Sequence, residues 1–214
     1  MPPPAASAPI THAKLGRRQR QRMQLLWGLS LLLLALVLFV QAKAVPESFL
    51  HEFIEDIGAM LIAVAVLGRT WCALYIGGRK LNELVTNGPY SIVRNPLYVF
   101  SCIGAFGIGL GTASFVLAGV MTLVAALVFS SVIRIEEEAL QEKFGAAFTE
   151  YAARVPRLRP KPSLWADATS LSVTPNRVVR TFFDSAMMLL TIPALELVET
   201  LQQIHVLPVL FYLP

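Results

Sequence analysis

The chain has 214 residues, 55% of them apolar and only 15% charged. Average soluble chains carry about 25% charged residues. This depletion excludes disorder, a collagen-like repeat and a disulfide scaffold, and it disfavours an ordinary soluble enzyme. The net charge of +4 is too small to point to nucleic acid.

Residues 1–22 are Pro/Ala-rich and then basic, through Lys14, Arg17, Arg18, Arg20 and Arg22, and read as a disordered tail. An uncharged stretch from Met23 to Ala42 holds the first apolar run, Leu25 to Val40, just long enough for a bilayer. Ala42-Lys43-Ala44 also resembles a signal-peptide cleavage site; the length of the run and the apolar runs after it favour a retained helix. The second run, Ile57 to Ile76, contains Arg69, which either snorkels or lines a polar cavity. Turn signals at Gly77-Gly78 and Asn87-Gly88-Pro89 punctuate a polar stretch ending at Asn95-Pro96. Leu97 to Leu110 and Phe115 to Ile133 form the third and fourth runs, a membrane hairpin broken at Gly111–Ser114. Gly104 to Gly111 has the glycine content of a dinucleotide loop without a preceding strand, and its spacing suits close helix packing instead.

A charged helix over 134–155 is expected to leave the membrane, ending at Pro156. Residues 157–176 read as a linker. Between Phe182 and His205, Asp184, Ser185, Glu196, Glu199, Gln202 and Gln203 share half a helical wheel, and Pro193 should kink the helix. An interfacial helix is the first reading there and a polar-striped fifth span the second. The expected fold is therefore an all-α, multi-pass membrane bundle of about four spans. Its divisions are the tail (1–22), a membrane domain (23–160) and a linker with a C-terminal helix (161–214). Basic residues flank the second-to-third loop and follow the fourth run, while the 41–56 loop has only Lys43, so the N-terminus and these polar segments are expected in the cytoplasm. Cys72 and Cys102 read as buried thiols, and His12, His51 and His205 are scattered, with no metal site expected.

Two polar segments, Asn82–Tyr98 and Arg134–Glu138, fall on one membrane face and could build one pocket. Arg94 offers a bidentate donor for a carboxylate or phosphate, Tyr90 and Tyr98 offer faces and hydroxyls, and Glu136 and Glu137 offer acceptors. That inventory suits a zwitterionic cofactor with a ribose and a cationic centre. Each residue singly also has an ordinary membrane role: Arg94 as an anchor, the tyrosines as belt aromatics, the glutamates as a solvated helix start.

Leu84-Val85-Thr86-Asn87-Gly88-Pro89-Tyr90, Arg94-Asn95-Pro96-Leu97-Tyr98, Glu136-Glu137-x-x-Leu140-x-x-x-Phe144-Gly145, Tyr151 and Val155-Pro156 follow one another in order. This series resembles the isoprenylcysteine carboxyl methyltransferase family and, more loosely, the phospholipid N-methyltransferases, over about residues 57–160. The resemblance implies a membrane-embedded methyltransferase using S-adenosylmethionine. It places cofactor contacts on Asn82, Glu83, Leu84, Val85, Tyr90, Asn95, Pro96, Leu97, Tyr98 and Glu136, with Asn82 and Glu83 matched by position only. Asn95 stands where the family has histidine, and Phe100 where it usually has glycine. The implied acceptor is a lipid-like or prenylated carboxylate, drawn from the membrane; a phospholipid amine or a small thiol is the alternative. A carboxylate or thiolate needs no general base; the candidate catalytic residues are Arg94, the bidentate donor, and Glu137, the first candidate for a base if the acceptor is an amine. A non-enzymatic membrane protein that retains the scaffold is the rival reading.

Overall fold

The computed structural model describes residues 37–42, 49–79 and 83–213. The basic tail, nearly all of the first apolar run, Lys43 and Asn82 lie outside them. The described chain is helical, apart from a three-residue parallel pairing of β1 (Val40–Ala42) with β2 (Phe211–Leu213).

The first described helix, α1 (Phe49–Ile76), begins eight residues before the apolar run and carries His51, Glu52, Glu55 and Asp56 in its first two turns. A single turn, α2 (Pro89–Ile92), precedes α3 (Pro96–Leu110), and both start on a proline, whose missing N–H costs nothing at a helix start. The next helix, α4 (Phe115–Phe144), starts at Ser114, whose side chain accepts from the Leu117 amide. It runs through Ile133 without a break, so the charged segment is first a continuation of the span and not a separate helix. Arg134 to Lys143 contain no glycine or proline, and nothing ends the helix until Gly145, at φ 51°. There the chain turns into α5 (Ala146–Arg154).

Residues 175–203 are continuously helical: α6 (Pro175–Ala186), a 3₁₀ turn at Met187–Leu190, and α7 (Thr191–Gln203). The 3₁₀ turn lies where the Pro193 ring would otherwise meet the carbonyl four residues back. This rod lies antiparallel along α1. Gly77 faces Arg177, Arg69 donates to Ser185 Oγ at 2.7 Å, and His51 Nε2 lies 3.3 Å from Glu199 Oε1. The rod is long and apolar enough to cross a membrane, as the second reading, a polar-striped fifth span, requires.

Among the described residues, three segments are long and apolar enough to cross a membrane: Phe49–Ile76, Phe115–Phe144 and Pro175–Gln203. At 15 residues, α3 is about 22 Å long, short of a ~30 Å hydrocarbon core, because Pro96 and Gly111 fix its ends. The protein is an integral membrane helical bundle.

Glycine sets how closely α1 and α3 approach. A Cβ on Gly58 would lie 2.7 Å from the Gly107 carbonyl oxygen, and one on Gly107 equally close to that of Gly58. The glycines of the third run thus serve helix packing. Further along, a Cβ on Gly68 would come within 2.2 Å of the Phe100 ring. Phe100, the bulky departure from the family pattern, is accommodated by this notch in α1. Gly68→Ala is therefore expected to cost about 1–3 kcal/mol by overpacking. Phe100→Leu combined with it should recover most of that loss. A double-mutant cycle on thermal melting in detergent checks this; additive losses would show that the ring and the notch are not coupled.

Candidate functional site

Two cavities open at the end of the bundle where α1 finishes and α3 begins. The first is lined by Ile76, Glu83, Leu84, Val85, Tyr90, Arg94, Asn95, Leu97, Tyr98, Glu136, Leu140 and Tyr151, and encloses ≈ 570 Å³ including its mouth.

The loop over residues 83–95 is held by local chemistry. Gly88 has φ 59°, and a Cβ there would strike the Tyr75 ring at 2.2 Å, so only glycine fits between Asn87 and Pro89. Residues 155–167, which from 157 onward were expected as a linker, instead clasp this loop. The Arg94 amide donates to the Pro156 carbonyl at 2.9 Å, the Lys161 amide to that of Ile92 at 2.9 Å, and the Gly88 amide to that of Ala166 at 2.8 Å. Trp165 stacks on Trp71, with ring centroids 5.7 Å apart, and the Tyr75 hydroxyl donates to Asp167 Oδ1 at 2.9 Å.

Within the cavity, the Tyr98 hydroxyl donates to Glu136 Oε1 at 2.9 Å. Tyr151 donates to the Tyr90 carbonyl at 2.7 Å and so anchors the turn carrying Tyr90. Burial pushes the hydroxyls of Tyr90 and Tyr151 above the ordinary tyrosine value, so both stay neutral donors at physiological pH. The Tyr90 hydroxyl is buried and finds no hydrogen-bond partner among the described residues. A buried, unsatisfied donor on a cavity wall is costly unless a ligand engages it.

Glu137 does not line this cavity. Its Oε1 lies 3.2 Å from Arg94 Nε and accepts from Asn95 Nδ2 at 3.3 Å. Its Oε2 accepts from Arg157 Nε at 2.9 Å and pairs with Arg157 Nη2. The arrangement ties the loop to α4 and to the strap after α5, and it occupies both carboxylate oxygens. Arg94 is held further by donating from Nη1 to the Ala152 carbonyl at 2.8 Å. Asn95 precedes α3 without capping it through its side chain, which donates to Glu137 and to the Arg157 carbonyl at 3.2 Å. Pro96 is buried at the start of α3, outside the lining set.

The structure thus brings Glu83, Leu84, Val85, Tyr90, Arg94, Asn95, Leu97, Tyr98 and Glu136 around one space. Ile76, Leu140 and Tyr151 also line it and were not among the expected contacts, although Leu140 and Tyr151 belong to the recognisable motif.

The second cavity, ≈ 1130 Å³ including its mouth, is walled by Arg69, Ala73, Ile76, Gly77, Gly78, Leu97, Tyr98, Arg177, Arg180, Thr181 and Asp184. Ile76, Leu97 and Tyr98 are common to both. Arg69 therefore lines a polar cavity, with its guanidinium held by Ser185 and Ser101. Three arginines against one aspartate leave this space positive.

The phospholipid methyltransferase family pattern matches residues 53–147. The nickel-cobalt-cadmium resistance protein NccN of Alcaligenes xylosoxydans xylosoxydans is 33% identical over 189 residues, 88% of each chain. The cobalt-zinc-cadmium resistance protein CzcN of Cupriavidus metallidurans is 39% identical over 142 residues, covering 66% of this chain and 65% of the relative. Protein-S-isoprenylcysteine O-methyltransferase B of Arabidopsis thaliana is 28% identical over 140 residues, 61% of this chain and 71% of the relative. No solved structure matches significantly.

Proposed function

The chain belongs to the phospholipid methyltransferase family, and from that premise we propose that it transfers a methyl group from S-adenosylmethionine to a membrane-borne acceptor. The observation that carries this reading is the wall shared by the two cavities, Ile76, Leu97 and Tyr98. A donor bound in the first cavity and an acceptor in the second would meet there. The first cavity has what the cofactor needs: Glu83 and Glu136 as acceptors for ribose hydroxyls or an ammonium, aromatic faces, and the unsatisfied Tyr90 hydroxyl. We assign the cofactor to the lining residues named above, with Arg94 and Glu137 holding the loop in shape. Asn82, outside the described residues, stays in the assignment through the family resemblance alone.

The cofactor supplies an activated methyl on a sulfonium. The residues lining the first cavity would hold that donor, and an acceptor oxygen or sulfur would take the methyl as the thioether leaves. No proton need move for a carboxylate or thiolate, so the protein's part is alignment and exclusion of water. The positive second cavity suits an acceptor with an anionic headgroup, a carboxylate foremost, and the adjoining lipid suits an apolar tail. An amine acceptor would need a base, and Glu137 has both oxygens engaged. The asymmetry of basic residues supports a cytoplasmic site and N-terminus. The divisions at 22 and 160 are retained as sequence segments, although the strap and α6 contribute to the site.

A second reading, a non-catalytic membrane component of heavy-metal resistance, is favoured by the names of the two bacterial relatives. Titrating detergent-purified protein with S-adenosylmethionine, then incubating it with methyl-labelled cofactor and a membrane lipid extract, separates the two. Saturable binding with label in the lipid phase is expected, and no binding would favour the second reading. Arg177→Ala and Arg180→Ala, both on exposed side chains, should each raise the KM for an anionic acceptor about fivefold and leave cofactor affinity unchanged.

A further inference from the structure

At the opposite end of α1 from the cavities, about 27 Å along the helix from Arg69 and about 37 Å from Ile76, a second cluster joins α1 to α7. His51 Nε2 lies 3.2 Å from Glu55 Oε1 and 3.3 Å from Glu199 Oε1, and one ligand atom from each of the three residues falls within 4.8 Å of the others. We propose that His51, Glu55 and Glu199 form a binding site for a divalent transition cation, independent of methyl transfer.

The donor set is an imidazole and two carboxylates, which suits zinc, cobalt and nickel. Ligands at tetrahedral metal–nitrogen and metal–oxygen distances stand roughly 3.3–3.5 Å from one another. The two separations measured from Nε2, 3.2 and 3.3 Å, lie at the short end of that spacing. Two carboxylates converge on one ring nitrogen, which carries at most one proton and cannot neutralise both. A divalent cation does so. Glu196, one helical turn before Glu199, bears electrostatically on Glu55 and deepens the negative potential. His51 is buried, with its side chain 6% exposed, while those of Glu55 and Glu199 are 31% and 24% exposed. A cation would enter from the carboxylate side and come to rest against the imidazole. Because Glu199 lies 148 residues beyond His51, an ion there would staple the C-terminal helix to α1.

Tag-free full-length protein in detergent is titrated with Co²⁺, followed by its visible ligand-field bands, and then with Zn²⁺ in competition. One Co²⁺ per chain, displaced by Zn²⁺, is expected, together with a rise in melting temperature on adding Zn²⁺. Glu199→Gln preserves shape and removes a ligand charge; it should weaken Co²⁺ binding by more than about tenfold and abolish the Zn²⁺-dependent rise. His51→Gln should do the same, and Glu52→Gln, an exposed neighbour, should bind as the wild type does. Absence of stoichiometric Co²⁺ binding would overturn the proposal, leaving an ion-paired histidine. Wild-type affinity in Glu199→Gln would overturn it too, by placing the metal elsewhere.

Discussion

Glu137→Gln is expected to lower the stability of the protein by about 3 kcal/mol, at the low end of the roughly 3–5 kcal/mol for breaking a buried ion pair. The carboxylate side chain is 11% exposed and meets Arg94, 14% exposed, and Arg157, 44% exposed. Arg157 can turn to water when its partner is neutralised; Arg94 cannot, because its own loop and the Ala152 carbonyl hold it. The loss should appear as an early thermal transition in detergent. Glu138→Gln, on an exposed side chain, should stay within about 0.5 kcal/mol of wild type. A Glu137→Gln protein that melts normally but no longer transfers methyl groups would reverse this assignment and return Glu137 to the role of base.

Its neighbour should behave in the opposite way. Glu136 lines the first cavity and accepts the Tyr98 hydroxyl. Glu136→Gln keeps the shape and removes the charge. A hydrogen bond to a charged group is worth about 1.5–3 kcal/mol, so affinity for S-adenosylmethionine should fall about ten- to a hundredfold. The melting temperature should hardly move, because Tyr98 can still donate to the amide oxygen. Calorimetric titration beside a melting curve reads both quantities. An equal loss of affinity in Glu138→Gln would mean that the charge acts at a distance rather than by contact. Two adjacent residues of one motif are thus expected to respond differently, one in cofactor affinity and one in stability.

The motif residues identified cavity members well, because the loop that bears Tyr90, Asn95 and Tyr98 is built from local signals: glycine at a positive φ, prolines at helix starts, a short polar stretch between apolar runs. The different surroundings of Glu136, on the cavity wall, and Glu137, among Arg94, Asn95 and Arg157, were not legible. Both sit on one helix, and only the strap beyond α5 brings Arg157 to one of them. The same strap corrected the linker: residues 155–167 carry no strong periodicity, and their bonds to the 88–94 loop span some seventy residues. Phe100 illustrates the limit from the other side. Read alone, it is a bulky departure from the family pattern; its partner Gly68, on another helix, absorbs it.

By itself, the sequence determined that this is a multi-pass helical membrane protein carrying the motif series of the phospholipid methyltransferase family, since hydropathy, helix breakers and motif order are properties of neighbouring residues. The tertiary structure alone decided where the C-terminal helix lies, what Arg69 faces, and which histidine meets which carboxylates. His51 and Glu199, or Arg69 and Ser185, are more than a hundred residues apart. No local pattern encodes such pairs, because they arise only when an antiparallel helix closes against α1 and converts two isolated polar stripes into shared polar surfaces.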